Sequence, residues 1–236
     1  MNKIQKYSLI VPVSVVLMWL LSELYGALDL IWSNGFTLQY ALIFFLLGYA
    51  LIENEKPVLV KIFLVLGGVF CLVGDTFLAN AFRNHFSLGG LRMPLGMAGF
   101  FIGHTFWYLA ILGFKDPLDK KRMYVSFGVT FGVLIILWFL LINNNFDLLS
   151  ILALVYCIAL GTPLAHSIAQ FGKQPAYKLL TVFYTIFILS DMIIGMKDIK
   201  GMDIPAAGFL IWFTYIIALA GIVYSLVLHR KMQENA

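Results

Sequence analysis

Charge is scarce in this chain of 236 residues: Lys plus Arg is 16 and Asp plus Glu is 12, which is 12% of the total. A soluble domain carries about twice that fraction, and 28 charged side chains cannot cover a soluble fold of this size. Cysteine is nearly absent too. Cys71 and Cys157 both sit in long apolar runs, so neither a disulfide framework nor a cysteine metal site can be built, and the pair says nothing about redox compartment. What is abundant is apolar: 61% of residues are hydrophobic, Phe alone occurs 21 times, and the mean hydropathy is +0.93. Disordered chains are poor in aromatics and rich in charge, which excludes disorder. The class left is a polytopic membrane protein. The formal charge of +4 then reports orientation in a bilayer, and no nucleic-acid partner is expected.

Apolar runs long enough to cross a hydrocarbon core of about 30 Å recur with short interruptions. They predict eight transmembrane helices over Ser8–Leu28, Phe36–Ile52, Val58–Ala81, Pro94–Phe114, Met123–Ile142, Phe146–Gln170, Ala176–Met196 and Ala206–Leu228. The expected fold is an all-α membrane bundle forming a single integral membrane domain over residues 1–236. The first run follows Lys3 and Lys6 as a signal peptide would, but it contains Glu23 and no small-residue cleavage pattern, so it reads as a mature helix. Eight helices put both termini on one side. Arg83, Arg92, Lys197 and Lys200 fall on the opposite side and the other twelve basic residues on the side of the termini. The positive-inside rule then makes both termini cytoplasmic.

Ionisable groups within spanning helices cost free energy and face a protein interior or a wet cavity. Three acids qualify: Glu23, Asp75 and Asp191 on the first, third and seventh helices. At 1.5 Å per residue each lies roughly 20–26 Å from its helix start and roughly 7–9 Å from its end. One depth on three parallel helices could surround one polar chamber. Glu23 has a second reading, as a wet residue at the interface beside Asp29. Asp75 and Asp191 have apolar sequence on both sides and follow small residues, Gly74 and Ser190, which let a backbone or ligand approach. His104 lies mid-span, with Tyr108 one turn on along the same face. It reads either as part of that chamber or as a helix-packing residue. A zinc site would need about three ligands converging at one depth, and only His104 comes near, so no metal or other cofactor is expected. Gln39 and Tyr40 open the second helix from the outer side, and Trp212, Thr214 and Tyr215 lie in the outer half of the eighth; the Tyr and Trp among them read first as interfacial belt residues. Lys120-Lys121-Arg122 reads as a topology signal with possible contact to anionic lipid heads.

These motifs resemble the YhhN-like lysoplasmalogenases. The resemblance runs over Gly74-Asp75-Thr76-Phe77-Leu78, then Gly96, Gly99, Phe100, Gly103 and His104 with Tyr108, then Leu189-Ser190-Asp191. It departs at Lys56-Pro57, which lies directly before the third helix, and at Tyr215, followed by Ile216-Ile217-Ala218-Leu219 where the family tends to have Ala-Gln. The resemblance implies cleavage of the vinyl ether bond of a lysoplasmalogen to a fatty aldehyde and a glycerophospho-alcohol. The residue types suit that chemistry independently. Protonation of the β-carbon gives an oxocarbenium ion that water attacks, so one carboxylic acid and one carboxylate suffice. Asp75 and Asp191 are the expected catalytic pair; His104, Tyr108, Glu23 and Tyr215 are the expected substrate-binding residues. The expected partners are a lysophospholipid substrate and the lipid bilayer of a cell membrane, a bacterial inner membrane, with no obligate protein partner. The competing class is a proton-coupled small-molecule transporter using the same acids, with a faint echo between Gly99-Phe100-Phe101-Ile102 and Gly208-Phe209-Leu210-Ile211 as a hint of a repeat. A non-catalytic lipid-binding scaffold is the third.

Overall fold

The computed structural model describes residues 3–52, 57–143 and 145–229, with side chains from residue 10 onward except that of Ile52. Lys56, Asn144 of the polar run Asn143-Asn144-Asn145, Arg230 and Lys231 lie outside the described residues, as do the side chains of Lys3 and Lys6. All described regular structure is helical. Eight long helices appear where hydropathy placed them: α1 Lys3–Ala27, α2 Asn34–Ile52, α3 Val58–Leu78, α4 Arg92–Gly113, α5 Lys120–Leu141, α6 Leu148–Ala169, α7 Pro175–Ile194 and α8 Ala207–Leu228. Each is long and apolar enough to cross a membrane. Large apolar side chains such as Val11, Trp19, Val125, Phe139, Leu189 and Phe209 are exposed along them, as hydrocarbon and not water requires. This is a multi-pass membrane protein.

The helix bounds differ from the hydropathy spans where local chemistry outweighs hydropathy. The Asp119 carboxylate accepts the Arg122 backbone N–H, and α5 therefore starts three residues before Met123, taking Lys120-Lys121-Arg122 into its first turn. Asp147 caps α6 likewise through the Ser150 N–H at 2.7 Å, which holds its carboxyl below the usual carboxylate range. Asn80 adopts a left-handed φ of 52° and stops α3 short of Ala81.

The described helices form two compact units, α1 to α4 and α5 to α8. In the first, α3 and α4 run antiparallel in close contact. Trp107 donates to the Leu64 carbonyl at 3.1 Å, Gly103 lies against Gly67 and Cys71, Gly99 against Gly74, and Gly96 against Leu78. A methyl group on Gly99 would stand 2.6 Å from the Gly74 nitrogen, and one on Gly103 would stand 2.9 Å from the Gly67 carbonyl oxygen. Backbone cannot yield, so small residues set the helix separation. The α2 helix runs antiparallel to α3, with Ile43 and Leu47 facing Gly68. Its loops are tied together: Ile31 N–H reaches the Ala81 carbonyl at 3.0 Å and the Asn84 amide reaches the Asp29 carbonyl at 3.2 Å.

In the second unit, Ser126 of α5 bonds the Ala165 carbonyl of α6, and Trp138 bonds that of Ser150 at 2.7 Å. Ser190 of α7 bonds the Ile211 carbonyl of α8 at 3.1 Å, and Phe183 packs against Gly221. A π-helical turn, Gly195–Ile199, closes α7. The chain after α8 is fastened by His229, whose Nε2 lies 2.7 Å from the Asp116 carboxylate; Tyr177 of α7 donates to the same oxygen. Gly99→Leu should lower the thermal midpoint of the purified protein in detergent, with an overpacking cost of about 1–3 kcal/mol. Gly128→Ala on α5, where a methyl meets nothing within 4 Å, should leave the midpoint unchanged or raise it.

Candidate functional site

Asp75 stands one turn before the end of α3, where Gly74 brings the backbone against α4. A carboxyl group in hydrocarbon needs partners inside the protein, because no water competes for it. Two come from consecutive residues of α2. The Gln39 amide and the Tyr40 hydroxyl both donate to Asp75 Oδ2, each at 2.6 Å. Neighbouring residues on a helix point about 100° apart, so both reach one atom only because the carboxylate lies between them. The cluster is nearly dry: Tyr40 is 1%, Gln39 2% and Asp75 9% exposed. Next to it, Thr76 holds the Leu72 carbonyl at 2.7 Å and meets the hydroxyl of Tyr25 from α1.

An aromatic wall continues from this point. Tyr25 and Trp32 meet edge to face at 4.9 Å, Trp32 and Phe36 at 5.4 Å, and Phe36 and Tyr40 at 6.3 Å. The Trp32 ring is fixed by a bond to Thr37 at 2.8 Å. Tyr40 is therefore no interfacial belt residue. It is a buried donor to the acid, and Gln39 with it.

The other expected site residues of this unit lie at different levels. Glu23 is exposed on α1 and bonds to none of the groups that hold Asp75; two residues further, on the opposite face, Tyr25 takes the inner position. His104 is buried and edge-on to Trp107 at 5.1 Å. From the Leu64–Trp107 and Gly74–Gly99 pairings, His104 stands level with Val69, roughly 9 Å along the axis from Asp75, and Tyr108 stands level with Val65, roughly 15 Å away. Burial against α3 makes His104 at least a helix-packing residue.

In the second unit, Asp191 near the end of α7 accepts a hydrogen bond from Tyr156 of α6 at 2.7 Å. Ser190 beside it bonds α8. Tyr215 is buried against Phe187 with rings 5.5 Å apart, about one turn along α7 from Asp191. Each intramembrane aspartate is thus engaged by a tyrosine hydroxyl from a neighbouring helix, Tyr40 in one unit and Tyr156 in the other. Sequence reasoning missed Tyr25, Trp32 and Tyr156 as well as the Asp116–His229 pair. A register argument would have found one partner set: α2 descends from Asn34 as α3 ascends to Leu78, so residues five or six from the α2 start must meet residues three or four from the α3 end.

Removing either donor takes one hydrogen bond from a carboxylate in a dry site, at about 1 kcal/mol or more. Gln39→Leu and Tyr40→Phe should each lower the thermal midpoint. Their double variant should be non-additive by about 0.5–3 kcal/mol in a double-mutant cycle, because both act on one oxygen; strict additivity would contradict the shared-acceptor geometry.

Neither a curated protein nor a solved structure matches the chain. A family match does exist, to the YhhN family over residues 35–226. It takes in both aspartates and the donors Gln39, Tyr40 and Tyr156, and it leaves Glu23 and Tyr25 outside. Matched over most of its length, the chain belongs to the YhhN family, the lysoplasmalogenase family.

Proposed function

We propose that this protein is a hydrolase that cleaves the vinyl ether bond of a lysoplasmalogen, with Asp75 and Asp191 as the acid and base. The observation that carries the reading is the nearly dry Asp75 carboxyl, gripped through one oxygen by Gln39 and Tyr40, in a chain of the lysoplasmalogenase family. Buried carboxyl groups with specific partners inside an apolar protein mark sites of chemistry more often than sites of packing. We place the protein in a cell membrane, a bacterial inner membrane, with both termini cytoplasmic, as the basic residues of its loops suggest.

The chemistry asks little of the protein. One aspartic acid delivers its proton to the β-carbon of the enol ether, and the electron pair of the double bond forms the new C–H bond. The ether oxygen lone pair stabilises the resulting oxocarbenium ion, and the other aspartate, ionised, stabilises the cation and takes a proton from the attacking water. The hemiacetal formed then expels the glycerophospho-alcohol and leaves the aldehyde. One water is consumed and the protons balance. Tyr40, Gln39 and Tyr156 orient the two carboxyl groups. His104 and Tyr215 are assigned to substrate binding, and Glu23, exposed on α1, to the amine of an ethanolamine head. Tyr108, roughly 15 Å along the axis from Asp75, is given no part in contacting the ether oxygen beside that acid.

The carrier reading rests on the same intramembrane acids, with the echo between residues 99–102 and 208–211 as its hint of a repeat. Gly99 sits at the closest contact of α3 and α4, whereas a methyl on Gly208 would meet nothing within 4 Å. The two stretches play different parts, and the echo supplies no support for a repeat. Asp75→Asn and Asp191→Asn should each cut aldehyde release from a lysoplasmalogen in detergent by about 10²-fold or more, with the gel-filtration profile of wild type. Near-normal release by either variant would sink the paired-acid mechanism.

A further inference from the structure

About two turns from the polar cluster, along the same helix faces, lies an apolar cavity. Two turns back from Asp75 along the same face of α3 is Gly68; two turns on from Tyr40 along α2 is Leu47; three turns back from Tyr25 along α1 is Ser14. All three line one cavity of about 420 Å³ between α1, α2 and α3. That volume is within the range of ligand sites. Of its lining side chains only Ser14 is polar, so nothing in it recognises a head group. Phe44 belongs to its wall, and the Phe44 ring stands 6.1 Å from that of Tyr40. The donor to Asp75 and the wall of the cavity are therefore neighbours.

Two glycines belong to its lining, each against a side chain of a neighbouring helix. A methyl on Gly48 would stand 2.9 Å from Ile10 Cγ2, and one on Gly68 would stand 3.1 Å from Leu47 Cδ1. Both glycines thus let a neighbouring helix come close, and both also line the cavity. Val13, Leu17 and Val69 stand on its rim, each about half exposed, so a chain can enter sideways from the hydrocarbon. An unfilled apolar void of this size would forfeit the contacts of its whole lining.

We infer that this cavity holds the hydrocarbon chain of a single-chain lipid whose head lies at Asp75, and that Val65 and Leu51, at its far end, set the chain length the protein accepts. Placing the head at Asp75 rests on the hydrolase reading above. Val65 is ten residues from Asp75 and Leu51 eleven from Tyr40, both roughly 15–17 Å along their helices. A chain lying in the cavity with its head end toward the acid meets these two side chains last.

The test uses the full-length protein in detergent and a series of lysophosphatidylethanolamines that differ only in chain length, with retention read by native mass spectrometry. Val65→Phe should lose the longest chains and keep the shortest, by about tenfold for every two methylenes expelled. Leu51→Ala should shift preference the other way, toward longer chains. Val133→Phe, exposed on α5, should leave the profile as in wild type. An unchanged profile in both Val65→Phe and Leu51→Ala overturns the inference and means that the cavity takes bilayer chains only, without selection. Should Val65→Phe fail to fold, the opposite shift in Leu51→Ala decides alone. Aldehyde release from a matched vinyl ether series separates the two readings: chain-length shifts in retention without any aldehyde sink the hydrolase, and aldehyde with an unshifted profile sinks the cavity assignment.

Discussion

Two hydrogen bonds into one oxygen of Asp75 are the interaction on which the first unit is arranged. A carboxyl group placed in hydrocarbon without donors costs several kcal/mol, more than most helix contacts return. Gln39 and Tyr40 meet that cost from one turn of α2, which fixes the register of α2 against α3. The register in turn depends on α4. Gly99 and Gly103 bring α4 against α3 at backbone distance, so α3 is held from one side by glycine contact and from the other by the acid's donors. Tyr25 then fixes α1 through Thr76, and the aromatic wall from Trp32 to Tyr40 follows from the positions of those two tyrosines.

The same logic holds on a smaller scale in the second unit, where Tyr156 reaches from α6 to Asp191 of α7 and Ser190 reaches from α7 to α8. Hydrogen bonds of this kind are expensive to break in an apolar bundle. They allow a protein with few charges to keep two acids inside an apolar bundle. The apolar cavity between α1, α2 and α3 lies about two turns from the Asp75 cluster along the same helix faces; under the proposals above, the polar groups would serve the head and the cavity the chain.

The helices were legible because hydropathy over about 20 residues is the strongest signal a sequence carries. Their ends were less so, since the carboxylates of Asp119 and Asp147 and the left-handed Asn80 act through single backbone contacts that hydropathy averages away. Asp75 and Asp191 stood out because an acid between apolar residues has few bland explanations. Their partners did not. Gln39, Tyr40 and Tyr156 look like ordinary helix residues until the antiparallel register brings α2 to α3 and α6 to α7. Glu23 shows the converse: depth along a helix placed it with Asp75, but the face of α1 that turns inward carries Tyr25. The Asp116–His229 pair spans 113 residues of sequence, and no local pattern joins two such distant polar residues.

Isotope labelling of the products tests the central claim most directly. Incubation of the purified protein with an ethanolamine lysoplasmalogen in deuterated water enriched in heavy oxygen should give a fatty aldehyde carrying one deuterium on the carbon next to the carbonyl. The glycerophosphoethanolamine released with it should contain no heavy oxygen, because water attacks the oxocarbenium carbon and the glycerol C–O bond stays intact. Heavy oxygen in the glycerol product, or no aldehyde at all, would contradict the account.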